Sequence, residues 1–559
     1  MQSVISEIIQ KALKKLDVKI ERQEIESKIE IPKSIEFGDY ALPCFFLAGR
    51  LKQEPSQIAL ELREEISSSK LIENFQDIQT RGAYINFFID RKVLAINTIN
   101  QILNQEQEYG RTNIGQGKKA LVEHTSLNPN ASPHVGRARN AIIGDSIVKI
   151  LAFLNYKPEV HYYVNDVSKQ IAMLALVNAE KLKFESMLKK YVSIASKVKS
   201  SKKTEKEVFE ILNKFEQGDK KTLEQFKKIT DTCINGQKMI LSKLGIDYDF
   251  FDYESKYMQS SREILNELQK TGKLFRDKEG RMVLNQAGTP LERQMKAPFV
   301  VLTRSDKTGL YPIRDIVYTI DKMKLAEKNI IVLGEDQKLY FQQIKEALAL
   351  LNIRAPEVIH YSYILLSEKG KYKKMSTRKG EVVLLEDFLE DAVKKAKREI
   401  QKRKTKGDPN KVGIGAVKYS ILKNSNNKII NFNLDEALNF EGDTGPYLLY
   451  SYARASSILK KAKPKNKKLF VGDLEPKETE LIKKLSQFPE IVLNSYKNLN
   501  PSIIANYSYQ LAQIFNEFYH SCPVIGSEKE FFRLKLVETF RIVLKNSLYL
   551  IGIETMERM

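Results

Sequence analysis

One stretch decides the fold, and it reads ALVEHTSLNPNASPHVGRARNAIIGDSIVKILAFLNYKPEVHYYVND over residues 120–166. The stretch begins with a short β-branched run, which is typical of a strand, followed by a loop rich in Pro, Asn and Ser. A segment with helical periodicity and a second short run, typical of a helix and a second strand, complete it. Apolar residues recur at helical spacing from Ala138 to Leu154 and predict one buried stripe. The loop brings His134, Gly136 and Arg137 to the helix start, where free N–H groups and the helix dipole favour anions. We therefore predict a βαβ unit whose phosphate-ready turn follows its first strand.

Composition sets the broad class. The 559 residues predict about four domains, and a hydrophobic content of 42% excludes a largely disordered chain. A net charge of +21 favours a polyanionic partner, nucleic acid before an acidic membrane, although a solvated basic surface is the alternative. Three scattered cysteines, Cys44, Cys233 and Cys522, predict no disulfide framework, no zinc site and a cytoplasmic protein. No run approaches the ~20 apolar residues of a membrane span.

The N-terminal part, residues 1–110, is predicted to be a compact α+β domain. Its helices are expected at 1–16 and 54–68, and its strands at 28–32 and 83–89. Gly38-Asp39 between them is interpreted as turn chemistry and not as a site.

The rest of the chain divides into three further parts. Residues 111–385 are predicted to form a Rossmann-like catalytic domain with a helical insertion at about 171–295. Further strands of its sheet are expected at 250–253, 298–302, 329–334 and 357–366. A connecting helical region follows at 386–440, and 441–559 is predicted to be all helix. The predicted class is therefore α/β with a parallel sheet, an N-terminal α+β domain and a C-terminal all-α domain.

Two basic loops carry the candidate chemistry. One holds His134 and Arg137; the other places Lys373, Lys374, Arg378 and Lys379 around Ser376-Thr377. Such loops could clamp a triphosphate, because nucleotidyl transfer needs mainly positioning and neutralisation of developing charge. Taken singly, a histidine at a helix start is more often a cap, and a lysine-rich loop is more often a solvated surface.

In this order the two loops resemble the HIGH and KMSKS signatures of class I aminoacyl-tRNA synthetases. They stand here as HVGR (134–137) and KMSTR (374–378), and the flanking text of 122–140 narrows the resemblance to arginyl-tRNA synthetase. LYPIRDI (310–316) and EGDTGPYLLYSYAR (441–454) also resemble that family. The resemblance extends from IPK and GDYA (31–41), similar to its N-terminal additional tRNA-contacting domain, to the helices of 441–559, similar to its anticodon-binding domain.

The resemblance implies the reaction. An enzyme of this family, a ligase, joins arginine to ATP with release of diphosphate, a step that needs bound tRNA-Arg, and then transfers arginyl to the 2′-hydroxyl of the terminal adenosine. It implies that His134, Gly136, Lys374 and Met375 bind ATP and that Arg137, Ser376 and Arg378 complete the catalytic set. Mg²⁺ is expected to be held mainly by ATP phosphates and water, without a protein metal site. The expected enzyme is a cytoplasmic monomer.

The resemblance also implies an arginine pocket. The planar guanidinium of arginine is best bound by a carboxylate. Asp315 matches the acidic residue that binds the guanidinium in the family, with Tyr311 beside it. Glu123 and Asn128 match positions that hold the substrate's ammonium and polar end, and Gln337 matches a further contact. Without the resemblance, Glu123 would be read as a strand cap, Asn128 as an Asx-turn and Arg314–Asp315 as a surface pair.

The candidate groups of 441–559 for stacking on tRNA bases are Tyr447, Tyr450, Tyr452 and Tyr507. Their spacing fits core residues equally well. Two positions depart from the class signatures: Arg137 replaces a histidine, and Thr377 replaces a lysine. Two alternatives remain open. One is another class I synthetase or a nucleotidyltransferase, and the other is a non-catalytic tRNA-binding paralogue.

Overall fold

A computed structural model describes residues 2–32, 34–67, 72–73, 75–306, 308–368, 371–374, 383–462 and 471–559. By its internal contacts the chain divides into two compact units. One comprises Met1–Glu106, Ile458–Gln487 and Ile514–Ile542, and the other comprises Gln107–Ser457, Phe488–Gln513 and Val543–Met559.

The N-terminal elements alternate helices with a small sheet. In chain order they are α1 (Gln2–Lys15), α2 (Arg22–Glu26), β1 (Tyr40–Pro43), α3 (Ala48–Leu51), α4 (Pro55–Ser67), β2 (Phe75–Arg81), β3 (Tyr84–Ile89) and α5 (Arg91–Gln105).

The central elements begin with the predicted βαβ unit. They are β4 (Lys119–Glu123), α6 (Val135–Phe153), β5 (Lys157–Val164), α7 (Lys169–Leu176), α8 (Phe184–Ser200), α9 (Lys202–Glu216), α10 (Lys220–Ser242), β6 (Phe250–Tyr253), α11 (Ser261–Lys270), β7 (Leu274–Arg276), β8 (Met282–Asn285), β9 (Phe299–Val301), α12 (Tyr311–Leu325), β10 (Lys328–Gly334), α13 (Lys338–Leu350), β11 (Glu357–Tyr361), β12 (Ile364–Glu368) and β13 (Lys371–Lys374).

The remaining elements are almost all helical. They are α14 (Leu385–Lys402), α15 (Pro409–Leu422), β14 (Ile430–Phe432), α16 (Leu434–Ala437), α17 (Gly445–Lys461), α18 (Pro476–Ser486), α19 (Phe488–Lys497), α20 (Ser502–Ser521) and α21 (Glu530–Leu550).

The first unit contains an antiparallel sheet in the order β1-β3-β2. The buried carboxylate of Asp39 pairs with Arg91 at 2.9 Å and with Lys483 at 2.8 Å, and it accepts the N–H of Ile89 at 3.0 Å. Gly38 just before it has φ +83°, and a Cβ there would lie 2.8 Å from the carbonyl oxygen of Phe87. This turn therefore has a structural role, as its sequence suggested. The strand predicted at 28–32 is wrong, because only an isolated bridge joins Glu30 to Ala41.

The second unit is built on a five-stranded parallel sheet in the order β11-β10-β4-β5-β6. Helix α6 connects β4 to β5, as residues 120–166 predicted, and it buries Ala138, Ile142 and Leu151 on the sheet side of the chain's core. The predicted fold class is thus confirmed for its parallel-sheet domain.

Three details of the sheet differ from the sequence-based predictions. Residues 250–253 form its edge strand β6, so the helical part of the insertion ends with α10 at Ser242 and not near 295. The strand predicted at 298–302 belongs instead to an antiparallel sheet, β7-β8-β9. The strand predicted at 357–366 breaks after Tyr361 into β11 and β12, which lie in different sheets.

Candidate active site

The order of the strands locates a crevice. Strand β4 lies between β5 and β10, so the chain leaves β4 on one side through α6 and returns on the other side at β10. In an open α/β sheet, ligands bind beyond the carboxyl ends of the strands at such a switch point. Glu123 ends β4, Gly334 ends β10, and exposed Gln337 follows one short 3₁₀ turn later.

The loop after β4 has an unusual backbone. Thr125 and Ser126 have φ of 71° and 41°, a left-handed conformation that is rare for a β-branched residue. Asn140 of α6 holds the loop, since its Oδ1 accepts the N–H of Thr125 at 2.5 Å and its Nδ2 donates to the carbonyl of Val332 in β10 at 2.8 Å. Strain of this kind persists where the surroundings fix it, and it is concentrated at functional sites.

His124 packs this loop onto α6. Its ring is fully buried, and burial lowers its pKa to about 4, so the ring is neutral at pH 7. Its Nδ1 lies 2.8 Å from Oγ1 of Thr125, which also accepts a 2.7 Å hydrogen bond from Tyr248. A Cβ at Gly144 would lie 2.3 Å from the His124 ring, so only glycine allows this approach.

The next part of the loop presents Asn128. Gln237 of α10 donates to the carbonyls of Asn128 at 3.0 Å and Ala131 at 2.9 Å, and Tyr162 donates to Gln237 at 2.8 Å. The backbone is therefore fixed, while the Asn128 side chain is exposed and available to a ligand.

The HVGR motif forms the start of α6. His134 is the residue before the helix, but its side chain makes no capping hydrogen bond. Burial, with a smaller contribution from Arg137, lowers the pKa of His134 to about 4, so it acts as a neutral hydrogen-bonding group at pH 7. Gly136 is half-buried and Arg137 is exposed. The first turn of a helix of 19 residues, with an exposed cation, is suited to phosphate.

Backbone hydrogen bonds join the HVGR motif to residues 383–385, which follow the second signature in the chain. The N–H of Val135 donates to the carbonyl of Val383 at 3.1 Å, and the N–H of Leu385 donates to the carbonyl of Pro133 at 2.8 Å. Lys374 ends β13. Met375, Ser376 and Arg378 lie outside the described residues, as do Thr377 and Lys379.

The candidate guanidinium reader, Asp315, lies near the start of α12, one turn after Tyr311. Asp315 is partly buried, and Oδ2 accepts a 2.7 Å hydrogen bond from the Tyr340 hydroxyl. Burial raises the pKa of Asp315 to about 6, against the opposing effects of Lys322 and Tyr340. Tyr311 begins the helix, is 55% exposed and lies with its ring centroid 5.2 Å from that of Tyr340.

Asp315 is left open for a cation. Its neighbour Arg314 does not pair with it; Nε of Arg314 instead binds the buried Glu254 at 2.6 Å. Burial raises the pKa of Glu254 to about 7 in spite of this pair. Among the described residues no lysine, arginine or histidine lies within ion-pair distance of Asp315. The alternative of an Arg314–Asp315 surface pair is therefore wrong.

Glu123 is placed differently from Asp315. Its carboxylate binds Nζ of Lys322 at 2.5 Å, and both side chains are at most 6% exposed. The Lys322 ammonium also lies 4.6 Å from the Tyr318 ring centroid. Glu123 is therefore neither a strand cap nor an open acceptor, and it would reach a substrate ammonium only by exchanging its buried partner.

Arg139, two residues after exposed Arg137, is a structural residue. It is fully buried, and its guanidinium donates to the carbonyls of Ser362 and Lys428 at 2.7 Å and of Ser425 at 2.9 Å. It thus fastens α6 to the break between β11 and β12 and to the segment before β14.

The four tyrosines predicted to contact tRNA differ in exposure. Tyr452 is 5% exposed, so the prediction that it stacks on a base is wrong. Tyr507 is 1% exposed with its ring on Phe488 at 5.7 Å, so the prediction that it stacks on a base is wrong. Tyr447 and Tyr450 are half-buried. Arg454 covers one face of Tyr450 at 4.8 Å.

Sequence reasoning missed Tyr340, Lys322 and Glu254. Each of the three contacts a site residue that lies 25 or more residues away in the sequence: Tyr340 contacts Asp315, Lys322 contacts Glu123, and Glu254 contacts Arg314. No local sequence pattern indicates these contacts. In the described part of the chain, no group of three or more His, Cys, Asp or Glu residues could hold a metal ion. No helix in that part is long and apolar enough to cross a membrane.

Comparison with known proteins then decides the family. The model of the class I tRNA synthetase (R) catalytic domain matches residues 98–435, the arginyl-tRNA synthetase N-terminal domain matches 3–89, and the DALR anticodon-binding domain matches 448–559. The arginine–tRNA ligase of Methanocaldococcus jannaschii is 36% identical, with 98% of each chain covered. The chain belongs to the arginyl-tRNA synthetase family.

Other members of the family agree. The arginine–tRNA ligase of Methanosphaera stadtmanae is also 36% identical, over 100% of this chain and 99% of that one. The structure of Thermus thermophilus arginyl-tRNA synthetase matches with a TM-score of 0.81 at 26% identity, over the whole of both chains. The family and the fold class predicted from HVGR, KMSTR and their flanking segments are thereby confirmed.

Proposed function

We propose that this chain is an arginine–tRNA ligase, which activates L-arginine with ATP and transfers arginyl to tRNA-Arg. The observation that carries the proposal is Asp315. It is a carboxylate that Tyr340 orients, that no cation neutralises among the described residues, and that lies near the start of a helix beside the switch point.

In the first step a carboxylate oxygen of arginine attacks the α-phosphorus of ATP, and diphosphate leaves. Asp315 accepts the guanidinium N–H groups and Tyr311 packs beside them, while Asn128 and Gln337 bind the polar end of the substrate. Ionised Asp315 gives charge-assisted hydrogen bonds, and an arginine fits them in a planar geometry that lysine lacks. Glu123, at the end of β4, binds the substrate ammonium by exchanging its buried partner Lys322.

ATP is bound by the start of α6. His134 is a neutral hydrogen-bonding group, Gly136 permits close approach, and Arg137 supplies a positive charge. Lys374, Met375, Ser376 and Arg378 complete the set as the second signature. This arrangement neutralises charge on the leaving diphosphate without proton transfer by residue 137.

In the second step the 2′-hydroxyl of the terminal adenosine of tRNA attacks the carbonyl carbon of the adenylate, and AMP leaves. The DALR domain supports anticodon binding, and we propose Tyr447 and Tyr450 as its stacking residues. The proposed domains are an additional tRNA-contacting domain at 1–110, a catalytic domain at 111–385, a connecting helical region at 386–440 and an anticodon-binding helical domain at 441–559.

Three finer points belong to the same proposal. Mg²⁺ is carried by ATP phosphates and water, and no step is assigned to protein ligands of the metal. The enzyme acts as a monomer, which size-exclusion chromatography with light scattering tests. It works in the cytoplasm, which the absence of disulfides among three buried cysteines supports.

The decisive experiment is ATP–diphosphate exchange with each amino acid, with and without tRNA-Arg. We expect exchange with arginine that depends on tRNA, and negligible exchange with lysine. Equal exchange with lysine would contradict the proposed pocket. No exchange with arginine plus cognate tRNA would favour a non-catalytic tRNA-binding protein.

A further inference from the structure

A second cavity lies within the larger unit, away from the crevice. It has a volume of about 610 Å³ and lies among the later part of α6, the end of α10, α15 and the carboxyl-terminal turn. Five lysines line it, against two acidic residues, Asp408 and Glu554; these lysines are Lys149, Lys243, Lys411, Lys418 and Lys545. We call this set the lysine cavity.

The lysine cavity is separate from the candidate active site. Lys149 and Val135 lie in the same helix, α6, 14 residues apart. At 1.5 Å per residue, Lys149 is about 21 Å further along the axis than the start of the helix, where phosphate of ATP is proposed to bind. An anion in this cavity therefore cannot be the one held by HVGR.

The lysines are incompletely neutralised. Asp145 serves two of them, since it contacts Lys149 and lies 3.6 Å from Lys418. Lys243 pairs with Glu386 and Lys411 pairs with Glu554. Lys545 is exposed on α21, and in the described part of the chain no carboxylate pairs with it. Three carboxylates thus pair with four of the five ammonium groups, and Asp408 in the lining forms an ion pair with none of them.

The pairs at the rim are also replaceable. The side chains of Lys243 and Glu386 are 42% and 40% exposed, and that of Glu554 is 76% exposed. Exposed ion pairs of this kind contribute little and are screened by salt. An incoming anion would therefore gain Lys243 and Lys411 as partners at little cost.

The floor of the cavity is rigid. Lys418 is 2% exposed and donates to the carbonyl of Gly552 at 2.7 Å, and Ser146 donates to the carbonyl of Leu550 at 2.7 Å. Gly552 has φ +69°, and a Cβ there would lie 2.6 Å from Asp145 and 2.8 Å from Lys418. Lys418 is therefore held in place before any ligand binds.

We propose that the lysine cavity is a binding site for the phosphate groups of a ligand. Its volume falls within the range of small-molecule sites, and lysine ammonium groups bind phosphate as point charges. The source of the phosphate is either a free polyphosphate compound or the backbone of a bound tRNA, and both offer the same chemistry. The first does not depend on the proposed ligase function.

Inorganic tripolyphosphate is the probe, titrated calorimetrically into the full-length protein. We expect a binding event that persists in His134→Ala, which removes a residue of the active site. We expect Lys545→Gln, which breaks no ion pair, to weaken that event by about tenfold, and Lys411→Gln in addition to weaken it further by about tenfold. The control Lys270→Gln, an exposed lysine of α11, should leave it unchanged.

A parallel titration with tRNA-Arg distinguishes the two sources. Loss of tripolyphosphate binding in the lysine variants with unchanged tRNA affinity supports a free phosphorylated ligand. A matching loss of tRNA affinity, with competition between tripolyphosphate and tRNA, supports RNA backbone phosphate. If neither affinity changes in Lys545→Gln/Lys411→Gln, the proposal is wrong, whatever the outcome of the exchange assay.

Discussion

The hydroxyl of Tyr340, in α13, donates a 2.7 Å hydrogen bond to Oδ2 of Asp315, in α12. This bond fixes the orientation of the carboxylate at the start of α12, and it leaves the other oxygen, Oδ1, free for a substrate. Tyr340 is half-buried, and this burial raises its own pKa well above the usual value, so that it remains a proton donor. Affinity for arginine should therefore depend on both residues.

Replacement of the carboxylate is the first test. Asp315→Asn removes the charge with little change in shape, and we expect KM for arginine to rise roughly 10- to 100-fold while KM for ATP stays within about twofold. Steady-state exchange at pH 7.5 measures both. Asp321→Asn, on the exposed side of the same helix, is the matched control. An equal rise in both KM values would show that Asp315 does not bind the guanidinium.

The pH dependence of arginine binding follows from the raised pKa. Asp315, with a pKa of about 6 in place of 3.8, is ionised above pH 6 and protonated below it. Arginine binding requires the ionised form, so KM for arginine should rise as pH falls through 6. Binding near pH 6 should also release a proton, which calorimetry in two buffers of different ionisation enthalpy detects. In Asp315→Asn both effects should disappear.

Removal of the Tyr340 hydroxyl should act through Asp315. Its hydrogen bond lowers the pKa of Asp315, so Tyr340→Phe raises that pKa and leaves more of the carboxyl protonated at pH 7. We expect KM for arginine to rise about tenfold with kcat nearly unchanged, as for a binding interaction made equally in ground and transition states. Raising the pH to 8.5 should recover part of the loss. A loss that is the same at every pH would indicate a merely structural role.

Arg137 and Arg139 should separate activity from stability. Arg137 is exposed beside the proposed ATP site, so Arg137→Ala should raise KM for ATP and leave the melting temperature unchanged. Arg139→Lys leaves buried carbonyls without donors and should lower the free energy of unfolding by about 2 kcal/mol or more. Thermal unfolding and exchange kinetics on both variants check this. The opposite pattern would reverse the two assignments.

Contact with tRNA should distinguish Tyr450 from Tyr507. Loss of one stacked base costs about 1–3 kcal/mol, so Tyr450→Ala should weaken tRNA-Arg binding by roughly 10-fold or more without a change in fold. Tyr507→Phe removes only a buried hydroxyl and should bind tRNA normally. Filter binding at two salt concentrations measures both, and affinity should fall steeply with salt. Normal binding by Tyr450→Ala would exclude it from the interface.

The sequence predicted best where local pattern and fold agree. The β-branched run, loop and helical period of 120–166 became β4, α6 and β5, because short-range periodicity and burial act in the same direction there. The strand expected at 28–32 failed for the opposite reason. Its alternation is real, but β1 offers it only one bridge, at Ala41.

Pairings between distant elements were beyond sequence reasoning. Val300 lies in an apolar run that suits a buried parallel strand, yet its partner is Leu284 in an antiparallel sheet. Glu123 was correctly placed at a strand end, but nothing near it in sequence shows that Lys322, 199 residues later, neutralises it. Tyr507 has the spacing of a surface residue as much as of a core residue, and only the packing of Phe488 decides.

The hydrogen bonds from Val135 to Val383 and from Leu385 to Pro133 are made only by peptide groups. Side chains at these positions can therefore vary without breaking these hydrogen bonds. Only a proline at 135 or 385 would remove a donor. Because peptide groups alone hold the start of α6 against residues 383–385, a change of side chain within HVGR, such as arginine at 137, leaves the position of the helix start unchanged.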